Sequence, residues 1–150
     1  MFPAPTRTRP LLGVLSATAL AAACLTLGAA TAAADDDPPP PPLHNVKYTI
    51  WAERPFSNLE IYYRDVDPPN WADYSHNPYQ FSPIVEADVG PDKQWVLDVM
   101  LADPYQWAMV TAGTAGSTQS PNVHCGLAVD GVVVATDQGP KGALCSLRHW

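Results

Sequence analysis

VHCGLAVDGVVVATDQGPKGALCSLRHW, residues 123–150, is the stretch whose reading decides the fold. Val123, Cys125, Leu127 and Val129 recur at every second position, which places them on one face of a strand. Asp130-Gly131 follows, the dipeptide that supplies the positive φ angles of a two-residue type I′ hairpin loop. Val132 to Thr136 then returns as a β-branched strand. After a turn over residues 137–142, rich in glycine and proline, Ala143, Cys145 and Leu147 alternate again. The segment reads as three strands.

The two cysteines restrict how those strands lie. If Asp130-Gly131 sets the register, Cys125 stands opposite Thr136, and in a plain meander the middle strand separates Cys125 from Cys145. Two strand spacings amount to about 9–10 Å, whereas bridged cysteines keep their Cα atoms within roughly 7 Å. A Cys125–Cys145 bridge therefore requires the last strand to lie beside the first or to cross into a facing sheet. Either arrangement points to a sandwich; two separate buried thiols are the alternative.

Working outward, Val46, Tyr48 and Ile50 alternate with polar neighbours in a first strand, and Leu59, Ile61 and Tyr63 do so in a second. Ile84–Val89 is a weaker strand closed by Gly90-Pro91. Trp95, Leu97, Val99 and Leu101 form one face of the strongest central strand. Asp103-Pro104 turns the chain, and Trp107, Met109 and Thr111 are read as the next strand. Residues 65–83 form a long irregular stretch interrupted by prolines 68, 69, 78 and 83. The expected fold is all-β: an immunoglobulin-like β-sandwich of about seven strands with one disulfide, occupying residues 46–150.

The front of the chain has a different composition. Arg7 and Arg9, the apolar run Leu11–Leu27 and Ala32-Ala33-Ala34 predict an export signal over residues 1–34, cleaved before Asp35. Leu20-Ala21-Ala22-Ala23-Cys24 looks like a lipobox, but its leucine stands one position too early. Retained, Leu11–Leu27 would anchor the chain in a membrane; cleaved, the chain is secreted or held at the cell envelope. Cleavage also removes Cys24, leaving Cys125 and Cys145 in an oxidising compartment where an even count permits one bridge. Residues 35–45 hold three aspartates and then five prolines in a row, an acidic tether favouring extended polyproline II. It serves as a stiff spacer or as a ligand for a proline-binding module. Losing Arg7 and Arg9 leaves six basic against fifteen acidic residues, about −9 in net charge. Nucleic acid and anionic membrane surfaces reward clustered Lys and Arg, so neither is an expected partner.

Several segments carry a family resemblance: VKYTI (46–50), IYYRD (61–65), FSP (81–83), CGLAVDG (125–131) and GALC (142–145). Together they resemble the MmpS family, small mycobacterial membrane-associated proteins that accompany MmpL transporters of the RND class. The resemblance implies an extracytoplasmic β-sandwich, one disulfide, and assistance to an RND/MmpL-type permease exporting lipid or siderophore. The chain departs from that pattern at its front, where members keep a membrane helix and this sequence carries a cleavable signal and the tether. A freely secreted structural or interaction protein, with no transport role, is the alternative function.

The candidate chemistry is sparse. His44, His76, His124 and His149 show no metal-ligand spacing, and no nucleophile-elbow motif occurs, so no enzyme, metal or cofactor is expected. Asp65, Asp67, Asn70 and Asp73 offer oxygen donors, but the glycine and terminal glutamate of a calcium loop are missing, and a solvated acidic turn is expected. Trp71, Tyr74, His76 and Tyr79 cluster in the proline-rich loop and form the candidate binding group for a partner or an envelope lipid. Alternatively, one of those rings folds back to cap the sandwich.

Overall fold

The computed structural model describes residues 38–149. The export signal, its cleavage site, Cys24 and the aspartates of the tether lie outside the described residues. Among those described, eight strands build two four-stranded antiparallel sheets, one more strand than the alternation suggests. Strands β1 (His44–Ala52), β4 (Trp95–Leu101), β6 (Val123–Val129) and β7 (Val132–Gly139) form one sheet in the order β4-β1-β6-β7. Strands β2 (Phe56–Tyr63), β3 (Ile84–Val89), β5 (Met109–Gly113) and β8 (Gly142–Ser146) form the other, in the order β3-β2-β5-β8.

The period-two pattern explains the core. Val46, Tyr48, Ile50 and Ala52 face inward from β1, and Val123, Cys125, Leu127 and Val129 from β6. Leu59 and Ile61 of β2 and Val110 and Ala112 of β5 meet them from the facing sheet. The β6–β7 loop is the hairpin expected, with φ of 50° at Asp130 and 82° at Gly131, both in the left-handed region. The final strand does cross sheets. Cys125 on β6 is bridged to Cys145 on β8 with Cα atoms 6.0 Å apart, so the disulfide ties the two layers together.

The register of the hairpin differs from the expectation in one respect. Cys125 pairs with Asp137, and Thr136 pairs with Gly126, because the pairing shifts between Leu127 and Ala128. Val134 is the extra residue of this β-bulge. The stretch 104–108 also differs. Pro104–Trp107 is a single helical turn, α2, and the following strand starts only at Met109. Asp103 caps it by accepting a hydrogen bond from the Gln106 amide, and Pro104 occupies the first turn, where its missing N–H costs nothing.

Strand pairing fixes which segments share an end of the sandwich. His44 lies opposite Leu101, Tyr63 opposite Val110, and Met109 opposite Ser146. The start of β1, α2, the 64–83 loop and the chain after β8 therefore all gather at one end, with the Asp130-Gly131 turn. Pro38–Leu43 leads into that same end and is exposed along its length.

Candidate functional site

The 64–83 connection is more ordered than its composition suggests. Asn70 caps a short helix, α1 (Trp71–His76), by accepting from the Asp73 amide at 2.9 Å, while its own amide nitrogen donates to the Asp73 carboxylate at 2.8 Å. A 3-10 turn over Pro78–Phe81 follows. Asp67 accepts from the amides of Ala102 at 2.7 Å and Asp103 at 2.9 Å. Asp67 and Asn70 thus serve backbone amides, the Asp73 carboxylate accepts from the Asn70 side-chain amide, and Asp67 pins the loop to the turn between β4 and α2. Among the described residues, no group of three His, Cys, Asp or Glu side chains converges on a metal-sized site.

Arg64, at the start of the loop, holds it to the sandwich. The side chain is fully buried. Its Nη1 donates to the Phe81 carbonyl and, at 3.2 Å, to Ser82 Oγ, and its Nε donates to the Trp107 carbonyl at 3.4 Å. Its guanidinium carbon lies 4.6 Å from the centre of the Tyr74 ring. Nη2 is buried with no hydrogen-bond partner among the described residues. Carbonyl dipoles and a ring face thus surround this buried cation. Beneath it, Tyr48 donates to the Arg64 carbonyl at 2.8 Å and accepts from the Met109 amide at 3.4 Å. Burial raises the Tyr48 phenol far above its ordinary value, keeping it a donor.

Above Arg64 the rings stack outward. Trp107 is only 4% exposed and closes this end of the core. Tyr74 packs against it at 5.6 Å between ring centres, and Trp71 lies nearly parallel to it at 6.2 Å. Trp71 and Tyr74 also contact one another at 5.2 Å. The outermost ring, Trp71, is 45% exposed and carries the Arg148 guanidinium 4.0 Å from its centre. Trp71, Asp103, Tyr105, Gln106 and Arg148 line an open cleft of about 500 Å³. Tyr105, at 66% exposure, is its most accessible ring.

Of the residues singled out in the sequence, the structure brings Trp71 and Tyr74 together. His76 lies on a separate cleft of about 420 Å³ beside Asp73 and Gln80. Tyr79, 77% exposed on the 3-10 turn, stands outside the ring stack. The sequence reading missed Arg64, Trp107, Tyr105 and Arg148. The Asp103-Pro104 pair was the available signal for α2, and with it for the placement of Trp107 and Tyr105. Two other histidines are paired with carboxylates: His44 Nδ1 lies 2.7 Å from that of Asp130, and His124 Nε2 lies 3.1 Å from that of Glu53. His124 also stacks on Trp51, 3.8 Å between ring centres. Hydrogen bonds from these imidazoles, aided by Asn122 at Glu53 and by the Asn45 amide at Asp130, hold both carboxylates below their usual range. The Asn58 amide and then Lys93 do the same for Asp88. Each of these shifts has a local structural cause.

The fold is a disulfide-braced β-sandwich whose one end is closed by an arginine-supported stack of aromatic rings. The chain belongs to the family of the Rv2576c beta-sandwich domain, whose family model matches residues 48–145. It is 33% identical over 107 residues to the uncharacterized proteins Rv2576c and MT2652 of two Mycobacterium tuberculosis strains and Mb2606c of Mycobacterium bovis. The match covers 71% of this chain and 68% of each relative. This corrects the family assignment: the chain is a member of the Rv2576c family, and the MmpS resemblance does not hold. The most specific motifs behind that resemblance were a cysteine pair and an Asp-Gly hairpin turn. A sandwich whose sheets are bridged next to a tight hairpin needs both, whatever its lineage.

Proposed function

We propose that this chain is an exported, non-enzymatic interaction domain that binds a protein partner through the aromatic end of its sandwich. The transport-accessory role rested on the MmpS resemblance and loses that support, so the secreted interaction protein is the reading carried forward. One observation carries it: Trp71 and Tyr105 line a single open cleft, and Trp71 is backed by Trp107 and, through Tyr74, by the buried Arg64. Rings held rigid before binding lose little entropy on contact, and aromatic and arginine side chains dominate binding energy at interfaces. Folding alone explains Trp107; it does not explain an accessible Tyr105 beside a half-exposed Trp71.

A photo-crosslinking residue at position 105, in the chain exported by a mycobacterial host, tests this directly. Capture of a discrete protein from position 105, and not from position 86 on the outer face of β3, supports the proposal. Equal capture from both positions, or capture of lipid alone, overturns it. A permease among the captured proteins would revive the transport role on evidence independent of the resemblance.

A further inference from the structure

Five consecutive prolines, Pro38–Pro42, lead into β1 at the same end of the sandwich that carries the Trp71–Tyr105 cleft. We propose that the proline tract of one copy docks in the aromatic cleft of a second copy, and that the exchange is reciprocal, giving a two-fold dimer joined end to end. This rests on the contact-surface reading above and names the partner.

The chemistry of the two surfaces matches. A run of prolines is already held near polyproline II, so it enters a groove with little conformational entropy to lose, and aromatic-lined grooves are the usual receptors for that helix. The tract offers ring faces and carbonyl acceptors but no amide donors. The cleft offers the exposed Tyr105 ring and the exposed part of Trp71, with a donor in the Gln106 side-chain amide. At about 3.1 Å per residue the five prolines span roughly 15 Å, enough to cross an open cleft of about 500 Å³. Within its own chain, the tract is exposed at every residue and is not seated in the cleft.

The topology selects a closed pair over a chain of subunits. His44, where the tract joins the fold, pairs with Leu101, and two residues beyond Leu101 the chain reaches Asp103 on the cleft wall. Donor segment and receptor therefore share one end of the molecule. A two-fold axis across that end delivers each tract to the other copy's cleft at once, so the second contact forms at high effective concentration.

The test uses the chain recovered after export, its mass verified to retain residues 38–42, in light scattering and sedimentation across a concentration series. The proposal expects a concentration-dependent dimer that the synthetic octapeptide PPPPPLHN (residues 38–45) converts to monomer. It also expects the dissociation constant to rise at least about tenfold, the usual scale for losing one anchoring ring, in a Tyr105→Ala variant whose side chain is too exposed to hold the fold. Replacing Pro38–Pro42 with a Gly/Ser segment of equal length should abolish the dimer. A chain that stays monomeric throughout, or a dimer indifferent to both Tyr105→Ala and the octapeptide, overturns the proposal. If position 105 nevertheless crosslinks a different protein, only the self-exchange fails; if it captures none, the contact-surface reading fails with it.

Discussion

Replacing Arg64 with methionine is the most informative single perturbation, because this residue joins the loop, the ring stack and the core. The substitution keeps an apolar stem of similar length and removes the guanidinium. It forfeits two charge-assisted hydrogen bonds to the loop, at Phe81 and Ser82, at about 1.5–3 kcal/mol each. It also loses the contact with Tyr74, about 1–2 kcal/mol when desolvated. Against this, methionine relieves the desolvation of a buried cation that neutral dipoles offset only in part, a penalty of several kcal/mol, and the unpartnered Nη2 disappears with it. The expected net loss is about 2–4 kcal/mol of unfolding free energy, within the range of disrupted buried polar networks. Urea unfolding followed by tryptophan fluorescence, with the disulfide intact, measures it. Chymotrypsin should also cut the variant faster within 71–81, where Trp71, Tyr74, Tyr79 and Phe81 offer cleavage sites. A loss below about 0.5 kcal/mol, the range of an ordinary surface change, with unaltered proteolysis would refute the claim that Arg64 docks the loop.

Further predictions follow from the same structure. Trp107→Ala should cost about 3–5 kcal/mol, as for other buried tryptophans, and Trp71→Ala less than half as much, since Trp71 is 45% exposed; equal drops in thermal melting would contradict the layering of the stack. Removing the Cys125–Cys145 bridge, which spans 20 residues, should cost about 3 kcal/mol by chain entropy, and non-reducing peptide mapping should recover the two cysteines as one linked pair. Glu53, Asp88 and Asp130 titrate lower in the folded chain than in the unfolded one, so their stabilisation is present above the ordinary carboxylate range and is lost as pH falls through their folded values. Urea midpoints should drop across that acid window, and Asp130→Asn should flatten part of the slope. Tyr48 has the opposite sign: its folded value is raised, so its contribution is complete below its ordinary value of 10.0 and is lost as pH rises beyond it. Phenolate absorbance should show Tyr48 ionising only as the chain unfolds, and Tyr48→Phe should remove that step.

Much of the sandwich was legible because alternation is a local signal. Val123 to Val129 and Val46 to Ile50 announce one buried face without reference to the rest of the chain, and Asp130-Gly131 announces its turn. The cysteine geometry added a long-range constraint, since Cys125 and Cys145 cannot bridge across an intervening strand. The bulge at Val134 left no such mark, as Val132–Thr136 is uniformly suited to a strand in either register. The two short helices were legible in part: Asn70 before Trp71, and Asp103-Pro104 before Tyr105, are capping patterns that also read as turns when only one turn of helix follows. Arg64 was not legible. It falls at the end of a strand whose alternation assigns it to the outer face, and its burial depends on Phe81 and Trp107, 17 and 43 residues away. The grouping of the candidate rings was legible only in part for the same reason: Trp71 and Tyr74 lie together on α1, while their support comes from distant residues.

Oxidative footprinting compares the accessibility of the aromatic end in the chain's native setting with that of the dilute purified chain. Met100, 49% exposed on the outer face of β4, is a built-in reference for labelling. Trp71 and Tyr105 are expected to become protected in the native setting while Met100 is not. Unchanged labelling of both rings would contradict the claim that this end of the sandwich is a binding surface.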